Sequence, residues 1–82
     1  MEFGKHVKVR QEKFGAVVFE TLTEKVFVAN ETGGDILRLC KQGKSSEEII
    51  AYLAENYDAD PAVIKGEVEQ FVAGLKDKNI AK

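Results

Sequence analysis

The chain has 82 residues, 44% hydrophobic and 32% charged, with seven glycines and one proline, a composition that excludes a disordered tail and leaves no room for two cores. Residues 1–82 therefore read as a single domain. Twelve Lys and Arg against fourteen Asp and Glu leave a net charge of −2, which lacks the positive balance that small nucleic-acid binders use to neutralise phosphate.

A domain of this size buries only about 60–65% of the surface its unfolded chain exposes. A spacious internal cavity would use apolar surface that stability needs, so a binding surface is expected in place of a catalytic pocket. The apolar runs are short, and none approaches the roughly 20 residues that span a bilayer, so no membrane segment is expected. The start, Met1-Glu2-Phe3-Gly4-Lys5, has no basic and apolar signal-peptide pattern. A lone Cys40 has no disulfide or metal-cluster partner, and both features lead to the expectation of a cytoplasmic protein.

In chain order, Val7-Lys8-Val9-Arg10 alternates with period two, and Ala16–Phe19 and Val26–Ala29 are short β-branched and aromatic runs, the pattern of three antiparallel strands. Glu20–Lys25 between the last two, polar except for Leu22, fits a hairpin loop. Four consecutive apolar residues in the third strand cannot all face one core, because side chains alternate across a strand. Either both faces are covered, or the strand offers apolar pockets and an unpaired edge to a partner.

After Asn30 the period becomes helical. Asn30 is a good N-cap, Ile36, Leu37, Leu39 and Cys40 form an apolar stripe, and Gly43 is a stop, predicting a first helix over Thr32–Gln42. Ser45 and Glu48 make a capping box ahead of Ile49, Ile50, Leu53 and Tyr57, predicting a second helix over Ser46–Tyr57. Asp60-Pro61 opens a third, over Pro61–Lys78, with Ile64, Val68, Phe71 and Leu75 on its apolar centre and Val63 and Val72 at its margins. Strands followed by helices define an α+β fold. Its N-terminal three-stranded antiparallel sheet packs on a three-helix bundle, a winged-helix-like arrangement.

The residues that could carry chemistry do not form a constellation. Gly33-Gly34 match no phosphate-binding motif and are expected at a close backbone contact where the first helix leaves the sheet. His6 is expected on the surface of a frayed N-terminus, and Cys40 as a small buried thiol. The carboxylates Glu47, Glu48, Glu55, Asp58 and Asp60 are explained by helix capping, with no pair spaced for acid–base work. No catalytic residue, metal or cofactor is expected. The third helix sets Lys65, Lys76 and Lys78 against Glu67, Glu69 and Asp77, which removes the electrostatic footprint of a DNA-reading helix.

The run Val26-Phe27-Val28-Ala29-Asn30-Glu31-Thr32-Gly33-Gly34-Asp35-Ile36-Leu37-Arg38-Leu39 resembles the core of the PqqD-like family. Gly43, Ser46, Ile49, Leu53, Tyr57, Val68, Phe71 and Leu75 match in register, as do Arg10 and Phe14-Gly15 upstream. Gln42, Glu67 and Asn79 depart from the family pattern, and Asn79 is a residue that tolerates a left-handed helix cap.

The resemblance implies a peptide chaperone, or RiPP recognition element. Such a protein binds the leader segment of a ribosomally made precursor peptide and presents it to a radical S-adenosylmethionine enzyme, as in pyrroloquinoline quinone biosynthesis. It also implies that the leader lies as an added strand along Lys25, Val26, Phe27, Val28 and Ala29, in a groove shared with the third helix, Pro61–Lys78. On that helix Phe71 lies in the apolar centre and Val63 and Val72 at its two margins, one of which is expected to border the groove. Glu67, between Val63 and the apolar stripe, is either a recognition residue for a basic leader side chain or a solvated charge. A strand apolar on both faces suits such β-augmentation. Two other readings stand beside it: a winged-helix-like DNA-binding regulator, and a small oligomerisation module whose edge strand pairs with its own copy in a homodimer.

Overall fold

The computed structural model of the chain describes residues 3–78 and residue 80; the expectation for Asn79 lies outside them. Three strands, β1 (Val7–Glu12), β2 (Gly15–Glu20) and β3 (Lys25–Ala29), precede three helices, α1 (Glu31–Lys41), α2 (Ser46–Asn56) and α3 (Pro61–Asp77). The α+β order is as expected. Each strand runs one or two residues beyond its apolar run, because backbone pairing continues past the last buried side chain.

The sheet is antiparallel in the order β1-β2-β3. Its register places Val9, Val18 and Phe27 in one cross-strand row and Arg10, Val17 and Val28 in the next, on the opposite face. The first face is the core face. Ala16, Val18 and Ala29 are buried there with Leu37 of α1 and Leu75 of α3, and Val7, Val9 and Phe27 pack against them. Ile36, Leu39 and Cys40 point the other way, into a second cluster with Ile49, Leu53, Ile64 and Val68. The α1 stripe is thus shared between sheet and helices, and burial raises the pKa of the Cys40 thiol.

Caps set the helix limits. The Asn30 side chain accepts from the Gly33 amide at 2.9 Å, so α1 starts one residue earlier than the apolar stripe suggests. Its end is closed by Lys44 donating to the Leu39 carbonyl and Gly43 donating to that of Cys40, at 3.1 and 3.0 Å. Gly43 takes the left-handed conformation, φ +82°, that this closure requires. Ser45 and Glu48 form a reciprocal capping box on α2, and Asp60 caps α3 through the Ala62 amide with Pro61 next in line. Asp35 then ties α1 to α2. It accepts from the Tyr57 hydroxyl at 2.6 Å and from Arg38 at 3.3 Å, while Arg38 also donates to the Tyr52 hydroxyl at 3.1 Å.

The glycine pair sits at the close contact expected of it. A Cβ on Gly34 would lie 2.7–2.9 Å from Gly15 backbone atoms, and one on Gly33 would lie 2.8 Å from the Phe71 ring. Helix α1 therefore seats directly on the start of β2. The expected fraying at His6 is not found. The residue is exposed, but its carbonyl accepts from the Thr21 amide at 2.8 Å, and the Gly4 amide donates to the Ile80 carbonyl at 3.1 Å. Backbone bonds to the β2–β3 turn and to the chain's other end hold this segment.

Candidate functional site

The two edges of the sheet are chemically unlike. Edge strand β1 displays Lys8, Arg10 and Gln11 on exposed positions, and Arg10 pairs with Glu12 and covers the Phe19 ring at 5.6 Å. Charge on an edge discourages pairing with another strand. Edge strand β3 displays Val26 and Val28, 60% and 62% exposed. Among the described residues no strand pairs with its outer side. Of the two explanations for four apolar residues in a row, the structure shows the uncovered one: Phe27 and Ala29 turn to the core face, while Val26 and Val28 turn to solvent.

Alongside β3 runs a groove walled by α3, formed by two successive recesses. The larger, about 460 Å³, is lined by Phe27, Asn30, Thr32, Gly33 and Ile36 on one side and by Glu67, Gln70, Phe71, Gly74 and Lys78 on the other. The smaller, about 240 Å³, lies toward the start of β3 between Glu20, Lys25, Val26, Phe27, Lys78 and Ile80. Phe27 and Lys78 belong to both. The floor is aromatic: the Phe27 and Phe71 rings meet at 6.1 Å with an interplanar angle of 55°, a tilted arrangement favourable to both quadrupoles. The Lys78 ammonium lies 5.1 Å from the Phe27 ring centre, a cation–π contact at the junction of the recesses.

The structure brings Lys25, Val26, Phe27, Val28, Ala29, Glu67 and Phe71 to this edge and groove. Ala29 is buried, 3% exposed, so it offers backbone and little side chain. Val63 stands one helical turn before Glu67 on the same side of α3 and is 57% exposed. Val72 is not brought to the groove. It lines a separate recess of about 220 Å³ with Ser46, Glu69 and Lys76 on the far margin of α3.

Sequence reasoning missed Gln70, Gly74 and Lys78. Their spacing from Glu67 at intervals of three or four was the available signal, because those positions share one helical face. Glu67 is the only carboxylate lining the larger recess among the described residues, and one carboxylate does not make an acid–base pair. The Glu20 carboxylate is engaged in its own turn, accepting from the Thr23 hydroxyl and the Thr23 and Leu22 amides. Those bonds to Thr23 lower its pKa. No group of three or more His, Cys, Asp or Glu side chains among the described residues is placed to hold a metal ion, and no helix there is long and apolar enough to cross a membrane.

A three-stranded sheet with one edge left open, apolar apart from Lys25, beside a helix-walled, aromatic-floored groove defines a small α+β module with an accessible edge strand. Its sequence places it more narrowly. Residues 15–81 match the family of coenzyme PQQ synthesis protein D (PqqD), and the chain belongs to that family. No curated protein matches it by sequence.

Two solved structures share the fold. One, TbiB1 in complex with the TbiA(beta) leader peptide, superposes with a TM-score of 0.93 at 22% identity, covering 100% of this chain and 95% of that one. The other, lasso peptide synthetase B1 complexed with a leader peptide, superposes with a TM-score of 0.91 at 18% identity, covering 99% and 95%.

Proposed function

We propose that the chain is a non-enzymatic peptide chaperone that binds the leader segment of a ribosomally made precursor as a fourth strand along Lys25–Ala29. It then presents that precursor to a radical S-adenosylmethionine enzyme. The observation that carries this reading is the open β3 edge facing the α3 groove. Backbone groups of an added strand would pair with β3, its side chains on one face would enter the recesses over Phe27 and Phe71, and those on the other would cover Val26 and Val28. Membership of the PqqD family supports it, as does the description of both structural neighbours as leader-peptide complexes.

The test titrates isotope-labelled protein with the leader of the precursor encoded beside its gene. The expected result is amide shift changes at Lys25–Ala29 and along residues 63–78, saturating at micromolar peptide. Saturable binding that leaves both segments unperturbed would overturn the reading. The same edge could also pair with a second copy of the chain. Light scattering with and without peptide separates the two, since a self-paired edge dissociates as the peptide takes its place.

A further inference from the structure

The two ends of the groove carry opposite charge. At the Ala29 end, Glu67 is exposed and forms no ion pair among the described residues. Toward the Lys25 end, Lys25 lines the smaller recess and Lys78 stands where the two recesses meet. Both lysines also line a neighbouring cleft with Lys5 and His6, and among the described residues none of the three lysines forms an ion pair. Among the described residues, the carboxylates that share a recess with these lysines are Glu20, whose oxygens are taken by the turn at Leu22 and Thr23, and Glu24, which lines a recess with Lys25 without pairing to it. Between the two ends the floor is the Phe27–Phe71 pair.

We infer that the groove reads the polarity of its peptide, selecting a segment with a basic residue toward its N-terminus, an apolar residue next, and an acidic residue toward its C-terminus. This rests on the proposed leader-binding function and names the class of leader it would take. Direction follows from the sheet. Every pairing in it is antiparallel, and a strand continuing that pattern runs with its N-terminus beside Ala29 and Glu67 and its C-terminus beside Lys25 and Lys78.

Spacing follows from α3. Glu67 and the C-cap Lys78 are eleven positions apart, about 16 Å at roughly 1.5 Å per residue. An extended peptide covers that in about five residues at roughly 3.3 Å each. The basic and acidic residues are therefore four or five positions apart, with the apolar side chain between them on the groove side. Complementary charge of this kind sets direction and rejects the reversed ligand more than it adds raw affinity.

The experiment uses three fluorescein-labelled ten-residue peptides: Arg, Leu and Glu on alternate central positions, the same peptide with Arg and Glu exchanged, and one with Gln at both charged positions. Anisotropy with the intact protein at low salt is expected to show the first binding at least tenfold more tightly than the second, with the neutral peptide between them. The difference should shrink as salt is added. In a protein carrying Glu67→Lys, Lys25→Glu and Lys78→Glu, all at exposed positions, the order should invert. Equal affinity of the three peptides, all shifting the β3 amides, would overturn the polarity inference and leave the leader-binding function standing. Tighter binding of the exchanged peptide would overturn the inference too. Failure of all three to perturb β3 at millimolar concentration, together with failure of the native leader, would overturn both.

Discussion

Gly66 and Gly74 both lie inside α3, where glycine costs about 0.8–1 kcal/mol relative to alanine, and at neither would an added Cβ meet an atom within 4 Å. Neither is required by packing within the chain. Gly74, however, lines the groove, whereas Gly66 is exposed. Gly66→Ala should therefore raise unfolding free energy by about 0.5–1 kcal/mol with leader-peptide affinity unchanged. Gly74→Leu should leave stability equal or higher and weaken binding at least tenfold, because the side chain occupies space the peptide needs. Denaturant titration and anisotropy on the two variants check this.

Tyr57 offers a second test at the level of one side chain. Its hydrogen bond to Asp35, with burial and the Asp35 charge adding to the effect, pushes the phenol up to about 12, against an ordinary value near 10. A proton held more tightly in the folded state makes the contribution complete below about pH 10, and it is lost as the pH rises through about 12. Ultraviolet titration should show one tyrosine ionising late, and Tyr57→Phe should remove that late step.

The elements themselves were legible because each has a local signature that the tertiary structure had no reason to override. Asn30, the Ser45–Glu48 box and Asp60-Pro61 open the three helices where expected, and Gly43 closes the first. The box also has a measurable consequence. Ser45→Ala removes acceptance of the Glu48 amide at 3.2 Å and should lower stability by about 1 kcal/mol, seen as a lower urea midpoint at unchanged slope.

Harder to read was the side of α3 that faces the sheet. Val63 and Val72 flank the same apolar stripe, and a 3.6-residue period treats the two margins alike. The choice is made by how α3 crosses β3, a tertiary fact set by Phe71 resting against Gly33. The edge strand was legible because its apolar run is too long for one face. Its neighbours Gln70, Gly74 and Lys78 were marked only by their spacing from Glu67, since polar and glycine positions in a helix otherwise look the same whether they face water or a groove. The Tyr57–Asp35 bond joins residues 22 apart in sequence, beyond the reach of any local pattern.

The core is divided into a sheet cluster and a helix cluster, and Phe3 and Phe71 pack against both. Phe71 is also part of the groove floor, so the surface that would receive the peptide is continuous with the contact joining the two halves. A ligand that binds only the folded chain stabilises it by mass action, by about 2.7 kcal/mol at a hundred times its Kd. For a domain this small each kcal/mol moves the melting temperature by about 4–8 °C.

Saturating leader peptide is therefore expected to raise Tm by about 10–20 °C, with amide exchange slowed in β3 and α3 together. Phe71→Ala tests the coupling. Losing a half-buried ring should cost about 2–3 kcal/mol, somewhat below the usual loss for a fully buried one. It should also reduce the peptide-induced rise in Tm at the same peptide concentration, because the floor is gone. A variant with lowered Tm but an undiminished peptide-induced rise would show that the groove and the join between the clusters are energetically separate, and would count against Phe71 as part of the binding surface.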